Sequence, residues 1–155
     1  MRSEREQRFL LPDLAATHAL AARLAAGLRP GDALALTGGL GAGKTEFTRG
    51  LAHALGVPES VGVASPSYLL LNVYRGGRHP LAHFDAYFMR SDDDLERAGL
   101  AELRREGCLV VIEWADRVAG CVPAEARWLE LLPGPTAGGR VALLSGGPVP
   151  REPAT

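Results

Sequence analysis

The run Gly38-Gly39-Leu40-Gly41-Ala42-Gly43-Lys44-Thr45 constrains this chain more than any other feature, because it fits G-x-x-x-x-G-K-[ST] in full. Its flanks agree with it. Ala33-Leu-Ala-Leu-Thr37, entered from the Pro30-Gly31-Asp32 turn, is a short apolar run of the kind that forms a strand buried on both faces. Lys44 to Leu55 reads as a helix and meets Gly56 and Pro58 as stop signals. Strand, glycine loop and helix in that order cradle phosphate: backbone N–H groups turn inward around the β- and γ-phosphates, which calls for positive φ and no Cβ in the way. Gly39 and Gly41 are extra glycines that fit this need. Lys44 would neutralise the β/γ oxygens, the Thr45 hydroxyl would ligate Mg²⁺, and the helix N-terminus adds its dipole. Glu46, next along the helix, is counted with this nucleotide-binding segment. The plain alternative is a glycine-rich strand-to-helix turn with an exposed lysine.

Around the loop the pattern alternates helix and strand. Asp13 is placed to cap a helix over residues 13–27, with Leu14, Ala15, Leu20 and Leu24 at helical spacing and Gly27 as its stop. Tyr68 to Tyr74 and Leu81 to Phe84 form a hairpin around the turn-rich Arg75 to Pro80. Ser91 opens a helix with three aspartates in its first turn, and a second short helix runs from Gly99 or Leu100 to Glu106. Cys108 to Ile112 is a buried strand by its continuous apolar character. Trp128 to Leu132 and Val141 to Ser145 are a final strand pair joined across Pro133 to Gly139. Residues 146–155 are expected to fray. With 155 residues, 46% hydrophobic, no fixed-period repeat and no long linker, the chain is expected to form one domain over 1–155. Its expected class is α/β: a P-loop NTPase domain with a mixed sheet, a parallel core, antiparallel additions and helices on both faces.

Charge and cysteine content narrow the partners. Seventeen Lys+Arg against eighteen Asp+Glu give a net charge of -1, without the basic excess of a protein that lives on nucleic-acid backbone. Any RNA contact is therefore expected to be indirect or local. The longest apolar run, Cys108 to Ile112, is far short of the roughly 20 residues of a spanning helix, and the charged start Met1 to Arg8 precedes no secretory apolar region. A cytoplasmic location is expected. Cys108 and Cys121 make no CxxC and have no histidines at metal-ligand spacing, so neither a disulfide framework nor a zinc site is supported.

A P-loop needs carboxylates to complete a metal site and orient water. Glu113 follows the apolar Leu109-Val-Val-Ile112, the layout of a Walker B element, and Asp85 follows Leu81-Ala-His-Phe84 in the same way. Strand C-termini are where ligands bind in open α/β sheets. Ser67, in Ser65-Pro66-Ser67, stands where P-loop proteins place a mobile loop that senses the γ-phosphate, although a Ser-Pro turn opening a strand explains it as well. His83 is expected to be a half-buried structural histidine, and Trp114 is able either to pack in the core or to lie near a nucleotide. Asp92-Asp93-Asp94 fits a solvated helix start and does not match a calcium loop.

Taken together, these blocks resemble the TsaE (YjeE) family of bacterial P-loop ATPases. The likeness spans most of the chain: Leu11-Pro12-Asp13 with Thr17, the P-loop with Phe47-Thr48-Arg49-Gly50, Ser65-Pro66-Ser67-Tyr68, His83-Phe84-Asp85-Ala86-Tyr87, Leu95 with Gly99-Leu100, and Ile112-Glu113-Trp114. The resemblance implies ATP and Mg²⁺ as cofactors and an ATPase that is weak alone and switched on by partners. Those partners would be the TsaB–TsaD pair, which places a threonylcarbamoyl group on adenosine 37 of tRNAs reading codons that begin with A. By the same resemblance Lys44 and Thr45 hold phosphate and Mg²⁺, Asp85 and Glu113 complete the metal and water arrangement, Ser67 is switch-like, and Trp114 lies near the nucleotide. Two departures matter. Ser67 stands where the family usually has Thr, and Phe88 stands where it tends to have Arg, with Arg90 a possible substitute. A small-molecule kinase is a different reading, but no Arg-bearing lid is evident beyond the Arg104-Arg105 pair. A nucleotide-dependent switch with negligible turnover is a third, against which Glu113 argues.

Overall fold

Residues 6–66 and 69–146 are described by a computed structural model of the chain. Seven strands form one sheet: β1 Gln7–Leu11, β2 Ala33–Thr37, β3 Leu71–Tyr74, β4 Leu81–Asp85, β5 Leu109–Glu113, β6 Arg127–Pro133 and β7 Arg140–Ser145, in spatial order β1-β7-β6-β2-β5-β4-β3. The four central strands, β6, β2, β5 and β4, run parallel. The pairings β1–β7, β7–β6 and β3–β4 are antiparallel. The sheet is thus mixed, with its parallel core in the middle.

Every residue of β2, β4 and β5 is buried, which explains why they read as continuous apolar runs. Successive side chains serve opposite faces. Leu34, Leu36, Leu109 and Val111 meet the helices α1 (Leu14–Gly27) and α2 (Lys44–Ala54) on one side. Ala33, Ala35, Phe84, Val110 and Ile112 meet α3 (Asp92–Arg97), α4 (Leu100–Arg105) and a 3-10 helix, Ala115–Cys121, on the other. Among the described residues no helix is long and apolar enough to cross a membrane.

Several local expectations need correction. Asp13 caps α1, its Oδ1 accepting from the Ala16 N–H at 2.8 Å, but Leu14 and Ala15 are exposed. The buried face is Thr17, Leu20, Ala21, Leu24 and Ala25. Gly27 is the last helical residue rather than its stop; Leu28 turns extended at φ -80° and ψ 139°, ahead of Pro30. The strand expected from Tyr68 begins at Leu71, because Leu70 has φ 64° and leaves the extended region. Residue 68 itself lies outside the described residues, as do Ser67 and the expected frayed tail from residue 147 onward. Gln7–Leu11, for which no strand was expected, forms the edge strand β1 by pairing with β7; Gln7, Arg8 and Leu10 are exposed and Leu11 is buried.

Candidate functional site

Three of the four parallel strands, β2, β5 and β4, deliver their C-terminal ends to one place. Leu36 of β2 and Asp85 of β4 are both Cα partners of Glu113 on β5, so the P-loop leaves the sheet beside two strand-end carboxylates. Gly43, at φ 105°, caps α2 in the left-handed region that a side chain would resist, and Gly41 is at φ 74°. A Cβ on Gly38 would lie 2.6 Å from the Leu131 carbonyl oxygen, so the loop rides directly on β6. Gly39 departs from expectation. It has no positive φ, and a Cβ there would meet nothing within 4 Å.

A cavity of about 660 Å³ opens at this point, a size ordinary for a small-molecule ligand. Leu40 to Glu46, Arg49, Ser65, Asp85, Tyr87, Phe88, Glu113 and Trp114 line it. Gly38 and Gly39 instead turn their carbonyls to Lys44, whose Nζ donates to them at 2.7 and 2.8 Å. The Trp114 ring covers the same ammonium, with Nζ 4.0 Å from the ring centroid. Burial pushes the Lys44 pKa below its usual value, while the charges of Glu113, Asp85 and Asp116 oppose that shift. Trp114 holds φ 57° and ψ 36°, a left-handed conformation costly for a bulky residue and typical of strained functional positions.

Both carboxylates are buried and fully engaged. Glu113 accepts from the Thr45 hydroxyl, with Oε1 at 3.1 Å, and its Oε2 lies 2.6 Å from His83 Nε2. Asp85 Oδ2 accepts from the Ser65 hydroxyl at 2.6 Å, and Oδ1 accepts from the Tyr87 N–H at 2.9 Å. His83 continues a buried chain: its Nδ1 lies 3.0 Å from the Tyr74 hydroxyl, which donates to the Ala64 carbonyl at 2.9 Å. Burial raises the Tyr74 pKa above its ordinary value, against the lowering effect of hydrogen bonds to Asn72 and Ala64.

The geometry therefore brings Lys44, Thr45, Glu46, Asp85, Glu113 and Trp114 together around one cavity. Glu46 faces His18 at 3.2 Å and pairs with Arg49. Ser67 lies outside the described residues. Arg90 is exposed and does not line the cavity; the arginine that does is Arg49. Asp92, Asp93 and Asp94 open α3, where Ser91 and Asp94 form a capping box. The sequence reading missed the partnership of His83 with Glu113: the histidine, expected to be half-buried and structural, is wholly buried against that carboxylate. The available signal was its spacing of two from Asp85, which puts both side chains on one face of β4. Tyr87 was missed too; its ring centroid is 5.0 Å from that of Trp114.

A parallel strand, a phosphate-type glycine loop capping a helix, and two acids at neighbouring strand ends define a P-loop NTPase fold. Within that class the chain belongs to the TsaE family. The family described as "Threonylcarbamoyl adenosine biosynthesis protein TsaE" matches residues 11–137. The protein named tRNA threonylcarbamoyladenosine biosynthesis protein TsaE of Bacillus subtilis (strain 168) is 40% identical over 109 residues, covering 70% of this chain and 66% of that protein. Its namesake in Treponema pallidum (strain Nichols) is 42% identical over 96 residues, covering 62% of this chain and 69% of that protein. The match thus spans about two thirds of the length of these two relatives. The crystal structure of Bacillus subtilis YdiB superposes with a TM-score of 0.74 at 28% identity, covering 94% of this chain and 87% of that one.

Proposed function

We propose that this chain binds ATP with Mg²⁺ in the P-loop cavity and hydrolyses it slowly, as an accessory to threonylcarbamoylation of adenosine 37 in tRNAs reading codons that begin with A. In this reading it works in the cytoplasm beside the TsaB–TsaD pair and reaches tRNA through that complex. The observation that carries the biochemical half is the convergence of Lys44, Thr45, Asp85 and Glu113 on one cavity of ligand size. The names of its relatives support the pathway.

The donor set suits a hard divalent cation. Among the described residues no cluster of three or more His, Cys, Asp or Glu is able to hold a metal by itself. Mg²⁺ is typically held through one or two carboxylates and completes its shell with substrate phosphates and water. Thr45 and the carboxylates of Glu113 and Asp85 would hold it, and bound there it would neutralise charge developing on the phosphates. Lys44 already sits in the loop, bridging Gly38 and Gly39 beneath Trp114, and would move its ammonium to the β/γ oxygens when phosphate displaces it. His83 and Thr45 hold Glu113, and Ser65 with the Tyr87 N–H holds Asp85, so the two acids keep their orientation before nucleotide arrives.

The test is phosphate release from ATP by the purified protein, alone and with the TsaB–TsaD pair and tRNA. Release that the pair stimulates and that Lys44→Ala abolishes is the expected result. Tight Mg²⁺-dependent ATP binding with no release in any combination would instead favour a switch without turnover.

A further inference from the structure

The P-loop has a second cation behind it, far away in sequence. Lys44 occupies the Gly38 and Gly39 carbonyls; beyond Leu40, Arg140 occupies two more, its Nη2 donating to Gly41 O at 2.9 Å and its Nε to Ala42 O at 3.1 Å. Its remaining nitrogen, Nη1, donates to Gly139 O at 3.0 Å, so all three guanidinium nitrogens are engaged. Arg140 opens β7, where its backbone is paired on one side with Leu11 of β1 and on the other with Pro133 of β6. The fork therefore springs from a strand that is paired on both sides.

A planar guanidinium fixes two acceptors in one plane, which a single ammonium does not do. In a trans peptide the N–H of the next residue points opposite to the carbonyl. Holding Ala42 O on the Arg140 side thus sends the Gly43 N–H the other way; Gly43 stands between the nucleotide cavity and the small neighbouring cavity that Arg140 lines. Carbonyls held away from the cavity by Arg140, with the following N–H groups directed the opposite way, give the polarity an anion nest requires.

We propose that Arg140 is a positioning residue for phosphate: it pre-sets the P-loop peptides so that the loop binds the pyrophosphate end of a nucleotide without first reorganising. The inference rests on the nucleotide-site reading above and concerns a residue beyond the segment 11–137 that the family matches. It predicts that the effect is felt by the phosphates rather than by the base or sugar.

The experiment is calorimetric titration of the full chain with inorganic pyrophosphate and with Mg²⁺-ATP, for wild type, Arg140→Ala and Arg140→Lys, with thermal unfolding run on each. Arg140→Ala is expected to weaken both ligands by about tenfold or more, with any loss of turnover falling on KM more than on kcat. Arg140→Lys keeps a charge and much of the stem, and so answers the question even if the alanine variant does not fold. It is expected to unfold near the wild-type temperature and still bind pyrophosphate several-fold more weakly. Wild-type binding that Arg140→Lys retains in full would overturn the role of the fork. A wild type that binds neither ligand would overturn the nucleotide-site reading itself, and the proposal with it.

Discussion

Glu113 shows how a single side chain is prepared for its site. A carboxylate at 2% exposure survives only with hydrogen-bond partners, and it has two: the Thr45 hydroxyl on one oxygen and His83 on the other. His83 is in turn backed by Tyr74, and Tyr74 by the Ala64 carbonyl, next to the Ser65 that holds Asp85. Replacing His83 with Phe keeps a ring of similar bulk and leaves one Glu113 oxygen buried without its partner. That is expected to cost about 3 kcal/mol of stability, because an abandoned buried acceptor on a charged group loses its full desolvation compensation. Urea unfolding of the variant measures it, and an unchanged midpoint would show that Glu113 does not depend on His83.

At the level of elements, α1 and α2 meet through a gap that only glycine leaves. A Cβ on Gly50 would stand 2.9 Å from His18 Cδ2, 3.1 Å from His18 Cα and 3.2 Å from Ala21 Cβ, all of them on α1. In an isolated helix Gly→Ala stabilises by about 1 kcal/mol. Here the same change must push two packed helices apart, and overpacking of this kind costs about 1–3 kcal/mol. Gly50→Ala is therefore expected to lower the unfolding temperature despite its better helix propensity, as read by circular dichroism. A rise in that temperature would mean that α1 yields freely. Because α2 begins at Lys44 and Thr45, the same packing also sets the height of these P-loop residues above the sheet.

Across the whole molecule, the C-terminal hairpin turns out to be structural support for the site. β6 lies parallel to β2 in the core, and β7 sits between β6 and β1 while sending Arg140 to the P-loop. A chain ended after residue 137 would lose β7, leaving β1 without a partner and opening an edge on β6. It is expected to show no cooperative thermal transition, whereas a sharp transition like that of the full chain would show that β7 is dispensable. Much of this architecture was legible beforehand. Ala33 to Thr37, the glycine loop, the helix from Lys44 and the apolar runs ending at Asp85 and Glu113 are local patterns, since a strand buried on both faces and a capped helix each leave their mark in consecutive residues. The edge strand β1, the break at Leu70, the buried partnership of His83 with Glu113 and the fork of Arg140 left no such mark. Sequence by itself determined the P-loop and the strand-end carboxylates that form the candidate site, because turn chemistry, capping and periodicity act over a few neighbours. Only the tertiary structure decided what holds them in place, because those hydrogen bonds join residues such as Arg140 and Gly41, or Thr45 and Glu113, that are brought together by strand order alone.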